Sequence, residues 1–202
     1  MQTNSSLGPL LGHTDIYLVD QIMKGRYAPG ERLLDAGAGG GRNLHWFARA
    51  GLEVYGTDRD PDAVAQLRAS YPELAAERLQ LAPVEALPFA DAFFDHVVSS
   101  AVLHFADDHV HFERMFAEMI RVLKPGGSFF ARMATDVGMG THPIPLGNGR
   151  FHLPDGSERY LSTRPMLDAL LQRLGLYWLE PFKSVVVDGV RSMGVVVVGK
   201  VG

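Results

Sequence analysis

Arg32-Leu33-Leu34-Asp35-Ala36-Gly37-Ala38-Gly39-Gly40-Gly41-Arg42-Asn43 is the stretch that decides the fold. Its first five residues read as a short buried β run. The glycines that follow make a turn in which backbone can approach a ligand closely and offer unpaired N–H groups to an anion. Leu44, Phe47 and Ala48 then recur at helical spacing until Gly51 stops the helix, and Glu53–Asp58 is the next β run. That is one βαβ unit.

Working outward, Pro61 opens a helix that runs to about Ser70, followed by a third strand over Arg78–Ala82 and a fourth over Asp95–Ser100. An amphipathic helix is predicted from Asp107 to Leu123, closed by Pro125-Gly126-Gly127, with the fifth strand over Ser128–Met133. Alternation of this kind from Glu31 to about Thr135 predicts an α/β fold with a mostly parallel sheet and helices on both faces. Upstream, Leu11, Ile16, Leu18, Val19 and Ile22 give Leu10–Met23, Tyr17 included, the spacing of a plain packing helix rather than a segment that closes a site. Downstream the rhythm breaks: 136–162 is rich in Gly, Pro and His and reads as a lid or loop insertion, in which His142, Phe151, His152 and Tyr160 would shape a second ligand if it folds over the crevice. A helix near Pro165–Leu174 and two β runs, Tyr177–Val187 and Met193–Val201, end the chain, joined by the hairpin signal Asp188-Gly189. The 202 residues suit one domain, divided as 1–30 (N-terminal helical segment), 31–135 (core), 136–162 and 163–202 (C-terminal helix and hairpin).

Composition narrows the function. A formal net charge of -4 supplies no basic field for nucleic acid, so a polynucleotide is not the favoured partner. With 0 cysteines there is no disulfide, Cys-held metal or thiol nucleophile, which fits a reducing compartment. Met1–Ser6 lacks the basic start and apolar run of a secretory signal, and no later apolar stretch is long enough to span a bilayer; the expected location is cytoplasmic. His109 and His111 resemble a metal pair, but residues two apart on a helix point in different directions.

A dinucleotide fingerprint beginning at Gly37 would require a third glycine at position 42, where this chain has Arg42. Asp58, 21 positions after Gly37 at the end of the second strand, is placed to accept both hydroxyls of a ribose. With Leu33–Asn43 and Asp58 in order, followed by Glu85-Ala86-Leu87-Pro88-Phe89, Phe94-Asp95, Leu103-His104-Phe105 and Arg121-Val122-Leu123-Lys124-Pro125-Gly126-Gly127, the chain resembles the class I S-adenosylmethionine-dependent methyltransferases, in particular the small-molecule branch called methyltransferase type 11.

The resemblance implies a Rossmann-like sheet ended by an antiparallel hairpin strand, with S-adenosylmethionine as cofactor, S-adenosylhomocysteine as product and a small-molecule acceptor methylated at O, N or S. It implies that Gly37 and Gly39 pass close to the methionine moiety, that Asp35 lies near its ammonium and Asp58 on the ribose, and that Arg59 flanks the adenine. Where the family carries an acidic residue before Glu85, this chain has Pro83-Val84, so Val84 and Glu85 are the adenine candidates; Ser100, at the end of the fourth strand, completes the set. Asp35 has a second reading, as a turn-capping carboxylate, and Glu85 as a solvent-facing loop residue.

Ligands of open α/β sheets bind beyond the carboxyl ends of the strands, which puts Ser100–Phe105 beside the methyl group. His104 is the titratable candidate there for accepting a proton from the acceptor, against an alternative in which it bonds backbone at a strand–helix junction. Ser99-Ser100-Ala101-Val102 stands where enzymes that methylate amino groups of bases and glutamine carry an Asn-Pro-Pro-Tyr-type tetrad. A nucleotide-cofactor oxidoreductase and a non-catalytic cofactor-binding module are the competing readings.

Overall fold

The computed structural model describes residues 7–140 and 142–202; the reading of Met1–Ser6 as lacking a leader falls outside them. The chain runs α1 (Leu7–Leu11), α2 (Ile16–Met23), β1 (Arg32–Ala36), α3 (Leu44–Arg49), β2 (Glu53–Asp58), α4 (Pro61–Ser70), β3 (Leu79–Leu81), β4 (Phe94–Ser100), α5 (His109–Val122) and β5 (Leu123–Ala134). It continues through β6 (Ile144–Gly147), β7 (Arg150–His152), β8 (Glu158–Tyr160), α6 (Arg164–Arg173), β9 (Leu176–Trp178), β10 (Lys183–Val187) and β11 (Arg191–Lys200).

The main sheet has the order β10-β11-β5-β4-β1-β2-β3, with β9 also pairing with β11. The strands from β3 to β5 are parallel, and β11 joins β5 antiparallel with Val196 opposite Ala131. Alternate side chains point to opposite faces of a strand, and the core divides accordingly. Leu34, Val97, Phe129, Val196 and Val198 pack on one face with Phe112, Phe116 and Met119 of α5 and Leu167, Leu170 and Leu171 of α6. Leu33, Val98, Phe130, Val195 and Val197 pack on the other with Leu18 of α2, Leu44 and Phe47 of α3 and Leu67 of α4. Burying each such Phe or Leu stabilises the fold by about 1.5–3 kcal/mol. The central strands are apolar on both faces because helices cover both. This is the Rossmann-like α/β fold read from the sequence.

Three expectations need correction. The single helix over Leu10–Met23 is two, because Gly12 (φ +57°) ends α1 and the Asp15 side chain caps α2 by accepting from Tyr17 N at 3.0 Å. The fifth strand starts at Leu123, not Ser128, and runs through Pro125-Gly126-Gly127, with a register irregularity between the Phe94 and His96 pairings. The 136–162 segment is not a patternless loop: β6, β7 and β8 form an antiparallel meander. Its base is clamped to the end of β5 by Thr135 Oγ1 donating to Ser162 O (2.8 Å) and Ser162 N donating to Ala134 O (3.1 Å). Leu153 and Leu161 then pack on Ala134 and Met193, seating the meander over the carboxyl ends of β5 and the neighbouring part of β11.

Candidate functional site

The turn after β1 is tied to the end of β2 by Gly37 N and Ala38 N, which both donate to Thr57 O at 2.9 and 2.8 Å. Gly37 (φ +80°) lies so close to Val102 that a Cβ there would meet Val102 Cγ2 at 2.4 Å, so the turn and the segment after β4 are in contact through this one residue. Gly39 (φ +54°) is the reverse case: a Cβ would meet nothing within 4 Å, and its backbone lines an open cavity of about 800 Å³. Gly37, Gly39, Asp58, Arg59, Val84, Glu85 and Ser100 all line this cavity, at the carboxyl ends of β1, β2 and β4.

Asp58 is fixed by two backbone donors: Gly39 N to Oδ2 at 2.8 Å and Asp60 N to Oδ1 at 3.0 Å. Each oxygen keeps acceptor capacity for a further hydroxyl. Glu85 does not simply face solvent, since its Oε1 lies 3.4 Å from His111 Nε2, and His111 also lines the cavity. His109 turns elsewhere, its Nδ1 2.8 Å from the Tyr160 hydroxyl and its Nε2 3.2 Å from Glu113.

Asp35 sits behind the cavity wall, 0% exposed, with neither carboxylate oxygen hydrogen-bonded. Burial pushes its pKa up to about 7, partly offset by the charge of Arg42, with Asp58 adding to the rise and the Asn43 amide opposing it.

Sequence reasoning missed the residue that ties the site together. Asp15 is buried, and its Oδ2 accepts from Ser100 Oγ and Arg132 Nη1, both at 3.1 Å, with Arg42 Nη2 at 3.8 Å; Asn43 Oδ1 accepts from Asp15 N at 3.0 Å. One carboxylate so joins the N-terminal segment to the glycine turn, the end of β4 and β5. Gly12 and His13, in the break between α1 and α2, line the cavity, so this segment does help to close the site. The signal was there: a glycine stop followed by an N-cap Asp.

His104 stands apart from the other site residues, and its contacts match the reading in which it bonds backbone. It does not line the large cavity but a second one of about 280 Å³, which shares Ala101 and Phe105 with the first. Its Nδ1 accepts from Ala134 N at 3.3 Å, so the proton is on Nε2. Burial, with the charges of Arg159 and Arg132, pushes its pKa down to about 4. A neutral imidazole with one nitrogen engaged and so low a pKa is a weak base at pH 7.

Strand order, glycine turn and a cavity beyond the strand ends define a cofactor-binding protein of the Rossmann-like α/β class. Residues 34–131 match the family model described as Methyltransferase domain. A protein described as an uncharacterized methyltransferase of Synechocystis sp. is 34% identical over 102 residues, 50% of this chain and 46% of that one. A solved SAM-dependent methyltransferase from Methanosarcina mazei superposes with a TM-score of 0.70 at 22% identity, covering 89% of this chain and 97% of the other. The 1,6-didemethyltoxoflavin-N1-methyltransferase of Burkholderia thailandensis, solved with 1,6-didemethyltoxoflavin and S-adenosylhomocysteine, gives a TM-score of 0.67 at 21% identity over 92% of this chain and 76% of its own. Through residues 34–131 the chain is similar to S-adenosylmethionine-dependent methyltransferases, and it shares their fold. The chain spans less than half the length of the first curated relatives it matches, 43% and 46%. No helix of the described residues is long and apolar enough to cross a membrane.

Proposed function

We propose that the chain transfers the methyl group of S-adenosylmethionine to a small-molecule acceptor. The observation that carries this is the pairing of the glycine turn and Asp58 on one cavity with the unsatisfied carboxylate of Asp35 behind it. The residues fit the cofactor: Asp58 takes the ribose hydroxyls, Gly37 and Gly39 let the methionine chain pass, and Asp35 balances its ammonium. Arg42, half exposed on the same cavity, meets the carboxylate, while Arg59, Val84 and Glu85 border the adenine. Ser100, held by Asp15 and Arg42, walls the methionine end.

Held by Gly37, Gly39 and Asp58 on this cavity, the cofactor would supply an activated methyl on a sulfonium. The protein's part is to align the acceptor and exclude water. Gly12 and His13 narrow the cavity from the N-terminal side.

The test is calorimetric titration with S-adenosylhomocysteine, with NADH as control, followed by a tritiated-methyl assay over a panel of acceptors. One-site binding of S-adenosylhomocysteine and a labelled product support the reading. Binding of NADH alone overturns it, and binding without transfer to any acceptor points to a cofactor-holding module.

A further inference from the structure

The second cavity meets the first at Ala101 and Phe105. Ala101 adopts φ +65°, a conformation an L residue enters only when its surroundings force it, and it is fixed there by donating its N–H to Arg132 O at 2.8 Å. Ala101 directly precedes Val102, the residue packed on Gly37. The small cavity therefore adjoins the large one along one short turn, at the two residues that line both. A molecule in the small cavity lies next to whatever Gly37 borders.

The chemistry of its wall is one-sided. Arg132, Arg159 and Arg191 line it, against one carboxylate, Asp155. Asp155 is engaged by Ser157 N (3.0 Å) and Ser157 Oγ (2.6 Å), and reaches Arg191 only at 3.8 Å. Arg132 shares Asp15 with Arg42, so its charge is half-compensated from behind, and its buried Nε has no hydrogen-bond partner. Arg159 pairs with no carboxylate among the described residues; its guanidinium lies over the Phe105 ring, 4.9 Å from the centroid, and one nitrogen donates to Glu158 O. The cavity wall thus carries Arg132, Arg159 and Arg191 against Asp155, with Asp15 behind Arg132, an excess of guanidinium. Arginine forks suit carboxylate and phosphate oxygens.

We propose that this second cavity is the acceptor site and that its arginines select a small organic anion. The proposal rests on the methyltransferase reading and names its acceptor class. The neutral His104 fits it, since it leaves the positive field of the arginines without a competing base and holds the turn through Ala134. The meander acquires a role as well: Asp155, Ser157 and Arg159 build the wall of the acceptor site.

The experiment has two arms on the full chain. The first measures S-adenosylhomocysteine affinity by calorimetry for the native chain and for Arg159→Gln/Arg191→Gln, of which Arg159 is partly buried and Arg191 exposed. The second follows glutarate, glycerol 3-phosphate and the neutral glutaramide by ligand-observed NMR on the S-adenosylhomocysteine-saturated protein. The expected result is saturable binding of at least one anion, at least tenfold weaker binding of that anion by the double variant, none of glutaramide, and S-adenosylhomocysteine affinity equal in both proteins. Which anion binds tells whether the charged group is carboxylate or phosphate. No binding of either anion, or equal binding by the double variant, overturns the acceptor assignment while leaving the cofactor reading intact; failure of S-adenosylhomocysteine to bind the native chain overturns both.

Discussion

Replacing Asp58 by Ala removes a carboxylate that two backbone N–H groups hold in place and whose remaining lone pairs face the large cavity. Hydrogen bonds to a charged group contribute about 1.5–3 kcal/mol each. Asp58 is half-buried and the cavity is open, so the lower figure applies to each of two ribose hydroxyls, about 3 kcal/mol together. At about 1.4 kcal/mol per decade, that is a loss of roughly a hundredfold in affinity for S-adenosylhomocysteine. Asp58→Asn keeps one acceptor oxygen and should lose about tenfold, half of that free energy. Calorimetric titration reads both, with urea unfolding as the check that the fold persists. Affinity of Asp58→Ala within threefold of the native chain, with the fold intact, would refute the ribose assignment.

Gly37→Ala places a Cβ 2.4 Å from Val102 Cγ2 at φ +80°; left-handed strain and overpacking together should cost about 2–4 kcal/mol in urea unfolding, and the further change Val102→Ala should recover the packing part only. Asp15→Ala leaves Arg132 and Ser100 without their buried partner and should cost about 3 kcal/mol by the same measurement; a loss under 1 kcal/mol would show that water replaces the carboxylate. Asp35 has its pKa raised to about 7 from 3.8, so the native chain keeps a proton that the unfolded chain releases across that window. Its contribution to stability is full below pH 3.8, falls as pH rises towards 7 and is flat above; Asp35→Asn should remove that slope. Since the ammonium of S-adenosylhomocysteine favours the ionised acid, affinity should rise with pH up to about 7 in the native chain alone; a profile shared with Asp35→Asn would remove Asp35 from the site.

The alternating core was readable because both faces of its central strands are covered by helices, which leaves apolar runs such as Leu33-Leu34 and Val97-Val98. The meander carried no such pattern. Its strands are three or four residues long, β6 is exposed throughout and contains Pro145, and the segment is seated by Leu153 and Leu161 with backbone clamps at Thr135 and Ser162. The motif Arg121–Gly127 was legible as a helix end but not for what it supports. Arg121 donates to Leu87 O and Phe89 O, and Lys124 pairs with Asp95 at 2.6 Å, so it braces the loop that follows β3 and Glu85.

The same distinction explains the site. Gly37, Gly39 and Asp58 belong to one βαβ unit, where chain spacing alone brings them together. Asp15, Ser100 and Arg132 meet only after the sheet has closed, at separations of 85 and 117 residues, and no local pattern announces such a contact. Of the two readings of His104, the contacts match the backbone-bonded one, because spacing gives a residue's position on the sheet and burial decides its proton. The acceptor wall follows from the same logic. Its arginines come from β5, β8 and β11, three elements distant in sequence, and the charge they gather exists only in the folded chain.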